Sequence, residues 1–245
     1  MITFATAIIK GGSGKTTTAA ALAQAAAADG KRVLAIDIDP QANLTKILGA
    51  DPDRAGTYEF LQGDPDAIQN TAQGISVLAG AADLATIKDG GGAARRLRDH
   101  LAPLGRKFDF CFIDTPPTMG PLTYNALFAA DGLIVPMETD SANIEGLQLI
   151  AGLADEFKTA NPELTIDAVI LTRYDGRPRI NRAIRTATEE EANKLDAIFR
   201  VIQIGIAIRE AQLFRRSIYD YAPRSKPAED YLELYKAIKR RYRKK

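Results

Sequence analysis

Eight consecutive residues near the start of the chain, Lys10-Gly11-Gly12-Ser13-Gly14-Lys15-Thr16-Thr17, have the composition of an anion site. Glycines let a backbone turn tightly and aim successive N–H groups into one concavity. A helix starting directly behind the turn adds the positive end of its dipole. In such a loop Lys15 reaches the outer phosphates of a nucleotide, and the Thr16 hydroxyl is a ligand for Mg²⁺. The general pattern asks for glycine five positions before Gly14, where this chain has Ile9; it has instead an extra lysine, Lys10, at the loop's start. Two acidic sites have the placement to complete the chemistry. Asp114 closes an apolar run over 108–113 and precedes Thr115-Pro116-Pro117, which suits a carboxylate holding the Mg²⁺ shell directly or through water. Asp37 and Asp39, in Asp37-Ile38-Asp39-Pro40-Gln41, end a second apolar run. Strand alternation sends both side chains toward the same ligand edge, where one can position an attacking water.

These residues need strands to hold them, and the hydrophobic pattern supplies strands. Short apolar runs over 2–9, 31–38, 74–78, 108–113, 132–136, 166–171 and 201–204 read as strands. Helical patterns fall over 16–29, 93–101, 144–159, 181–199 and 228–240, and 40–60 reads as loop and short helix. The first helix is alanine-rich and stops at Gly30. Alternating strands and helices imply an α/β fold, a mostly parallel sheet with helices on both faces. The expected organisation is one domain over 1–245, with a basic C-terminal helix and tail within 228–245.

Composition removes several classes of function. The chain has 245 residues, 46% of them hydrophobic, enough for a sizeable core. One cysteine, Cys111, excludes an internal disulfide or a multi-thiolate zinc site, and one histidine, His100, leaves none for a histidine-rich metal site. No run of 18 apolar residues is present, so a cytoplasmic protein without stable membrane association is expected. The net charge of +1 hides an asymmetry: 1–169 carry 13 basic against 21 acidic residues, and 170–245 carry 19 against 10. A basic C-terminal third suits salt-dependent, sequence-independent contact with the backbone of double-stranded DNA. The candidates are Arg177, Arg179, Arg182, Arg209, Arg215, Arg216, Lys239, Arg240, Arg241 and Arg243.

The combination resembles the ParA/Soj type of partition ATPase, within the ParA/MinD branch of deviant Walker A P-loop NTPases. Lys10 matches the family's signature lysine, Asp39 the aspartate associated with hydrolysis, Asp37 its neighbour in that motif, and Asp114 the Walker B aspartate. Residues 170–177 (Ile-Leu-Thr-Arg-Tyr-Asp-Gly-Arg) and 221–235 extend the similarity over nearly the whole chain. The resemblance implies an ATPase with ATP and Mg²⁺ as cofactors, Lys10, Lys15 and Asp39 as catalytic residues, and residues 10–17 cradling the nucleotide. It also implies Mg²⁺ near Thr16, Asp37, Asp39 and Asp114. In this family the signature lysine reaches across an ATP-sandwich homodimer. The implied partners are non-specific DNA and a ParB-like centromere-binding adaptor, with plasmid or chromosomal cargo on the nucleoid. One departure concerns the base: the family's usual Pro-Arg pair is replaced by Gly205 and Ile206. Two alternatives stay open, a positioner of another cargo and a membrane-cycling MinD-like regulator. For the latter, Tyr231, Tyr235, Ile238 and Tyr242 share one helical face among basic residues.

Overall fold

Each central strand divides its side chains between two cores. In the first strand Phe4 joins one hydrophobic cluster and Ala5 the other, and along 110–113 Phe110 and Phe112 separate from Cys111 and Ile113 in the same way. That period-two sorting on both faces is the mark of a sheet sandwiched between helix layers. The computed structural model describes residues 1–88, 93–140 and 142–243. Among them, the sheet consists of β1 (Ile2–Thr6), β2 (Val33–Asp37), β3 (Ile68–Asn70), β4 (Ser76–Leu78), β5 (Phe110–Asp114), β6 (Gly132–Met137), β7 (Thr165–Tyr174) and β8 (Ile198–Gln203). Their order is β3-β4-β2-β5-β1-β6-β7-β8, and every pairing is parallel except β3 with β4.

The helices are α1 (Lys15–Ala28), α2 (Asn43–Leu48), α3 (Thr57–Leu61), α4 (Arg96–Leu101), α5 (Pro121–Ala129), α6 (Ala142–Phe157), α7 (Arg179–Lys194), α8 (Ala207–Leu213), α9 (Ile218–Tyr221) and α10 (Lys226–Tyr242). Alanines of α1 pack with Leu44 and Leu48 of α2 and with Tyr231, Leu234, Tyr235 and Ile238 of α10 on one face of the sheet. Leucines of α4, α5 and α6 cover the other face. Small side chains let α1 lie close over the central strands, and Gly30, with φ of 71°, releases the chain into β2.

Several boundaries differ from the sequence expectation. The helix expected over 181–199 ends at Lys194, because Asp196 adopts a left-handed backbone (φ 52°) and Ile198 and Phe199 pair with Ala168 and Val169 of β7. Edge strand β3 and helices α5, α8 and α9 were not anticipated. Of these, α5 opens with Pro121 in its first turn, a favoured position that does not show as periodicity. In α10, Tyr231, Tyr235 and Ile238 are fully buried against the sheet, so this face is core and not an interfacial membrane surface. No helix among the described residues is long and apolar enough to cross a membrane. Lys244 and Lys245 of the basic tail lie outside the described residues.

Candidate functional site

Parallel pairing puts the carboxyl ends of β2, β5 and β1 at one edge in strict register: Asp37 beside Asp114, and Asp114 beside Thr6. The loop leaving β1 over that edge carries residues 10–14 and runs straight into α1. Gly12 and Gly14 take φ of 76° and 96°, the region only glycine adopts freely, and the Gly14 carbonyl accepts the first helical bond from Thr18 N at 2.9 Å. Close packing adds a second demand for glycine, since a Cβ on Gly14 would lie 3.2 Å from Thr172 Cγ2. The Thr172 hydroxyl lies 2.8 Å from the Ser13 carbonyl and 3.1 Å from that of Met137, tying the loop to β6 and β7.

Lys15 is buried beneath the loop, its Nζ donating to the carbonyls of Lys10 (3.0 Å) and Ile8 (3.4 Å). Burial lowers its pKa, opposed by the charges of Asp114 and Asp39. Lys10 lies on the rim instead, with Nζ 2.8 Å from Asp140 Oδ2. The glycine turns and the buried Lys15 ammonium thus lie together at the start of α1, an arrangement suited to phosphate.

The three aspartates are placed differently from one another. Asp114 is wholly buried and accepts a long bond from Thr6 Oγ1 (3.4 Å) on Oδ1, while its Oδ2 has no donor at bonding distance. Desolvation first, and the charge of Asp37 second, hold its pKa well above the usual carboxylate range; the nearby Thr16 hydroxyl works the other way. An orphaned buried carboxylate oxygen, on a carboxyl that the Thr16 hydroxyl also influences, fits a hard divalent cation. Among the described residues no group of three or more His, Cys, Asp or Glu converges as a metal cage. Magnesium, which binds through one or two carboxylates plus phosphate oxygens, suits that donor set.

Asp37 is committed elsewhere. Its Oδ2 accepts from Thr45 N (2.8 Å) and Thr45 Oγ1 (2.7 Å), and its Oδ1 from Asp39 N (3.2 Å). Thr45 Oγ1 in turn accepts from Gly80 N at 2.8 Å. Asp37 therefore fastens the segment that presents Asp39. Asp39 is nearly buried, accepts from Gln41 N at 3.0 Å, and is close enough to Lys15 for its charge to act there. Thr45 and Thr172 are site residues that sequence reasoning missed. Thr172 stands in the 170–177 segment and Thr45 in the 40–60 stretch of loop and short helix, and threonine alone carries no chemical signal.

Beside the loop opens a cleft of about 380 Å³, within the range of small-molecule sites, whose walls include Gly12, Gly14, Thr17, Gly205, Gln212 and Tyr231. Gln212 Nε2 donates to Thr17 Oγ1 at 3.2 Å, and Tyr231 Oη lies 3.1 Å from Thr18 Oγ1. Gly205 lines this cleft, while Ile206 is exposed.

Several of the basic residues have protein partners. Arg177 pairs with Asp175 (2.6 Å), Arg182 donates to the carbonyls of Gly176 and Arg177, Lys239 pairs with Asp29 (2.5 Å), and Arg241 pairs with Asp196 (2.7 Å) and Asp167 (3.4 Å). Arg177 and Arg182 are exposed even so, as are Arg179, Arg209, Arg215, Arg216, Arg240 and Arg243. The remaining singletons have structural places. Cys111 is buried in β5 with its thiol pKa driven up by desolvation, and His100 packs edge-on against Phe60.

A parallel sheet with a glycine-turned loop between β1 and α1, a lysine beneath it and an aspartate ending the neighbouring strand defines a P-loop NTPase. A family model described as an AAA domain matches residues 1–166. The chromosome-partitioning ATPase Soj of Thermus thermophilus is 36% identical over 233 residues, covering 94% of this chain and 92% of its own length. The chain belongs to the ParA/Soj-type partition ATPases of the deviant Walker A P-loop family. Among solved structures, a McdA variant of Cyanothece in complex with ATP superposes with a TM-score of 0.85 at 26% identity, covering 97% of this chain and 96% of that one. Cobyrinic acid a,c-diamide synthase from Mycobacterium smegmatis, solved with ADP and magnesium, gives 0.82 at 31% identity, covering 99% and 96%.

Proposed function

We propose that the protein is an Mg²⁺-dependent ATPase that forms an ATP-sandwich dimer, binds DNA without sequence preference and segregates plasmid or chromosomal cargo with a centromere-binding adaptor. The observation that carries the reading is the phosphate loop, with Lys15 beneath it and the buried, unpartnered Oδ2 of Asp114 on the neighbouring strand. Loop N–H groups from 10–16 and the start of α1 hold the phosphate chain, and Lys15 neutralises oxygens that gain charge in the transition state. Thr16 and Asp114 hold Mg²⁺, which when bound supplies further positive charge to the phosphate oxygens. Asp39, carried by the segment that Asp37 and Thr45 secure, orients the attacking water. Lys10 completes the charge across the two-subunit sandwich, which requires it to leave Asp140.

DNA enters through the exposed arginines of α7, α8 and α10 and their flanks, whose phosphate contacts are salt-dependent. Dimerisation brings two such surfaces together, so nucleotide state controls DNA affinity. Cytoplasmic residence with nucleoid association follows from that affinity. Two measurements test the reading. Lys15→Ala and Asp39→Ala should each lose ATP turnover, the first with loss of nucleotide binding and the second without it. Duplex binding over a salt series should be stronger in ATP than in ADP; equal affinity in both nucleotides, or none, refutes the DNA assignment.

A further inference from the structure

Arg173 stands where β7 breaks its own geometry. Pairing with β8 runs to Leu171 opposite Val201 and resumes at Tyr174 opposite Gln203, so β7 holds one residue more than its partner there. Arg173 lies in this bulge with φ of 51°, a region that side-chain-bearing residues adopt rarely and that recurs at functional positions. Bulges re-aim side chains. This one turns the guanidinium onto the phosphate loop, where Nη2 donates to the Gly12 carbonyl and pairs with the Glu138 carboxylate. Arg173 also lines the cleft beside the loop together with Gly12, Gly14 and Thr17. Its side chain remains 57% exposed, so burial of apolar stem does not account for the placement. Its charge is felt at the Tyr231 phenol in the wall of that cleft.

We propose that Arg173 is a further nucleotide-contacting residue, whose guanidinium exchanges Glu138 for phosphate oxygens when a nucleotide occupies the loop. The proposal rests on reading the loop as a nucleotide site. A planar guanidinium suits that exchange, because carboxylate and phosphate oxygens present the same paired acceptors to its N–H fork. Glu138 is then a competitor that holds Arg173 ready on the rim. The bulge supplies within one subunit a cation beyond Lys15, and Arg173 and Glu138 have opposite effects on affinity.

Calorimetric titration of the full chain with ATP and with ADP, with and without Mg²⁺, provides the test. Arg173→Gln keeps a polar side chain of similar stem and removes the charge; it should weaken ATP binding about tenfold, and ADP binding less. Arg173→Lys should restore part of the loss. Glu138→Gln frees the guanidinium and should tighten ATP binding by a few-fold. Parental ATP affinity in Arg173→Gln, or a loss in Glu138→Gln equal to that in Arg173→Gln, overturns the proposal and leaves the pair as a brace for the loop. Should Arg173→Gln fail to fold, Glu138→Gln decides alone, and unchanged or weaker ATP binding overturns the proposal. Lys15→Ala separates the two claims: ATP binding lost there but intact in Arg173→Gln refutes Arg173 only. A parental chain that binds neither nucleotide refutes the loop assignment with it.

Discussion

Asp37 and Asp114 face one another as register partners at the last positions of adjacent parallel strands, and both side chains are wholly buried. Desolvation raises both pKa values. Asp37, relieved by the hydrogen bonds from Thr45 and Asp39, reaches about 6, while Asp114 lies well above the carboxylate range. Asp37 has both oxygens engaged, whereas Asp114 keeps an unpartnered Oδ2, the position that would gain by receiving a cation.

Stability should therefore rise on mild acidification when no nucleotide is bound. A carboxyl whose folded pKa exceeds its unfolded value binds its proton more tightly in the native state, so it contributes most stability below the unfolded pKa. That contribution is lost as pH rises through the folded pKa. For Asp37 the window runs from near 3.8 to about 6, and for Asp114 it extends higher. Thermal melts in EDTA should show a higher Tm at about pH 6 than at about pH 8. Asp114→Asn should flatten this trend and raise the nucleotide-free Tm at the alkaline end, while losing the effect of Mg²⁺ on ATP binding. A parental trend retained in full by Asp114→Asn contradicts the assignment.

Gly80, just after β4, packs tightly against the segment that carries Asp37 and Asp39. A Cβ there would lie 2.8 Å from Asp37 Cγ and 2.8 Å from the Asp39 carbonyl oxygen. Gly80→Ala should displace Asp39 and cost about 1–3 kcal/mol of stability from overpacking. Steady-state kinetics should show kcat falling by at least about tenfold with a much smaller change in KM, because water positioning is disturbed more than phosphate binding. A variant with parental kcat and reduced Tm would show that the segment tolerates the shift.

Lys10 and Asp140 form a half-exposed ion pair at 2.8 Å on the loop rim. Such pairs are worth about 0–1 kcal/mol, so Asp140→Asn should lower the ATP concentration needed for half-maximal dimer by up to about fivefold. Sedimentation velocity across an ATP series reads this directly. An unaltered midpoint means that the pair does not restrain Lys10.

Arg240 and Arg241 are neighbours with different duties. Arg241 compensates Asp167, which is wholly buried, and also holds Asp196. Arg241→Ala should cost about 2–3 kcal/mol by removing a cation from beside a buried carboxylate, to which Tyr242 and Thr165 still donate. Arg240 is exposed. Arg240→Ala should keep the parental Tm, weaken duplex binding and reduce the slope of log affinity against log salt by about 1. Parental duplex affinity in Arg240→Ala removes that residue from the DNA surface.

Local pattern was enough to mark the phosphate loop and the strands that frame it. Gly12, Gly14, Lys15 and Thr16 act through backbone geometry and through contacts only a few residues away, and the apolar runs ending in Asp37 and Asp114 are short strands buried on both sides. The charge asymmetry was equally legible, since it needs only counting. The end of α7 and the short helices α5, α8 and α9 were not legible, because tertiary pairing and turns without helical periodicity set their limits.

Which partner each charged group found was decided by the tertiary structure alone. Asp37 and Asp39 look interchangeable in a run of alternating residues, yet Thr45, itself held by the Gly80 N–H from far along the chain, occupies Asp37, while Asp39 accepts from Gln41 N. Lys239 and Arg241 read as free basic residues until Asp29 and Asp167 are brought against them from other elements. Tyr231 reads as part of an amphipathic stripe until α10 packs on the sheet and brings its hydroxyl to Thr18, one turn into α1. Hydrogen bonds and ion pairs depend on distances of about 3 Å between residues far apart in sequence. Composition and periodicity do not encode those distances.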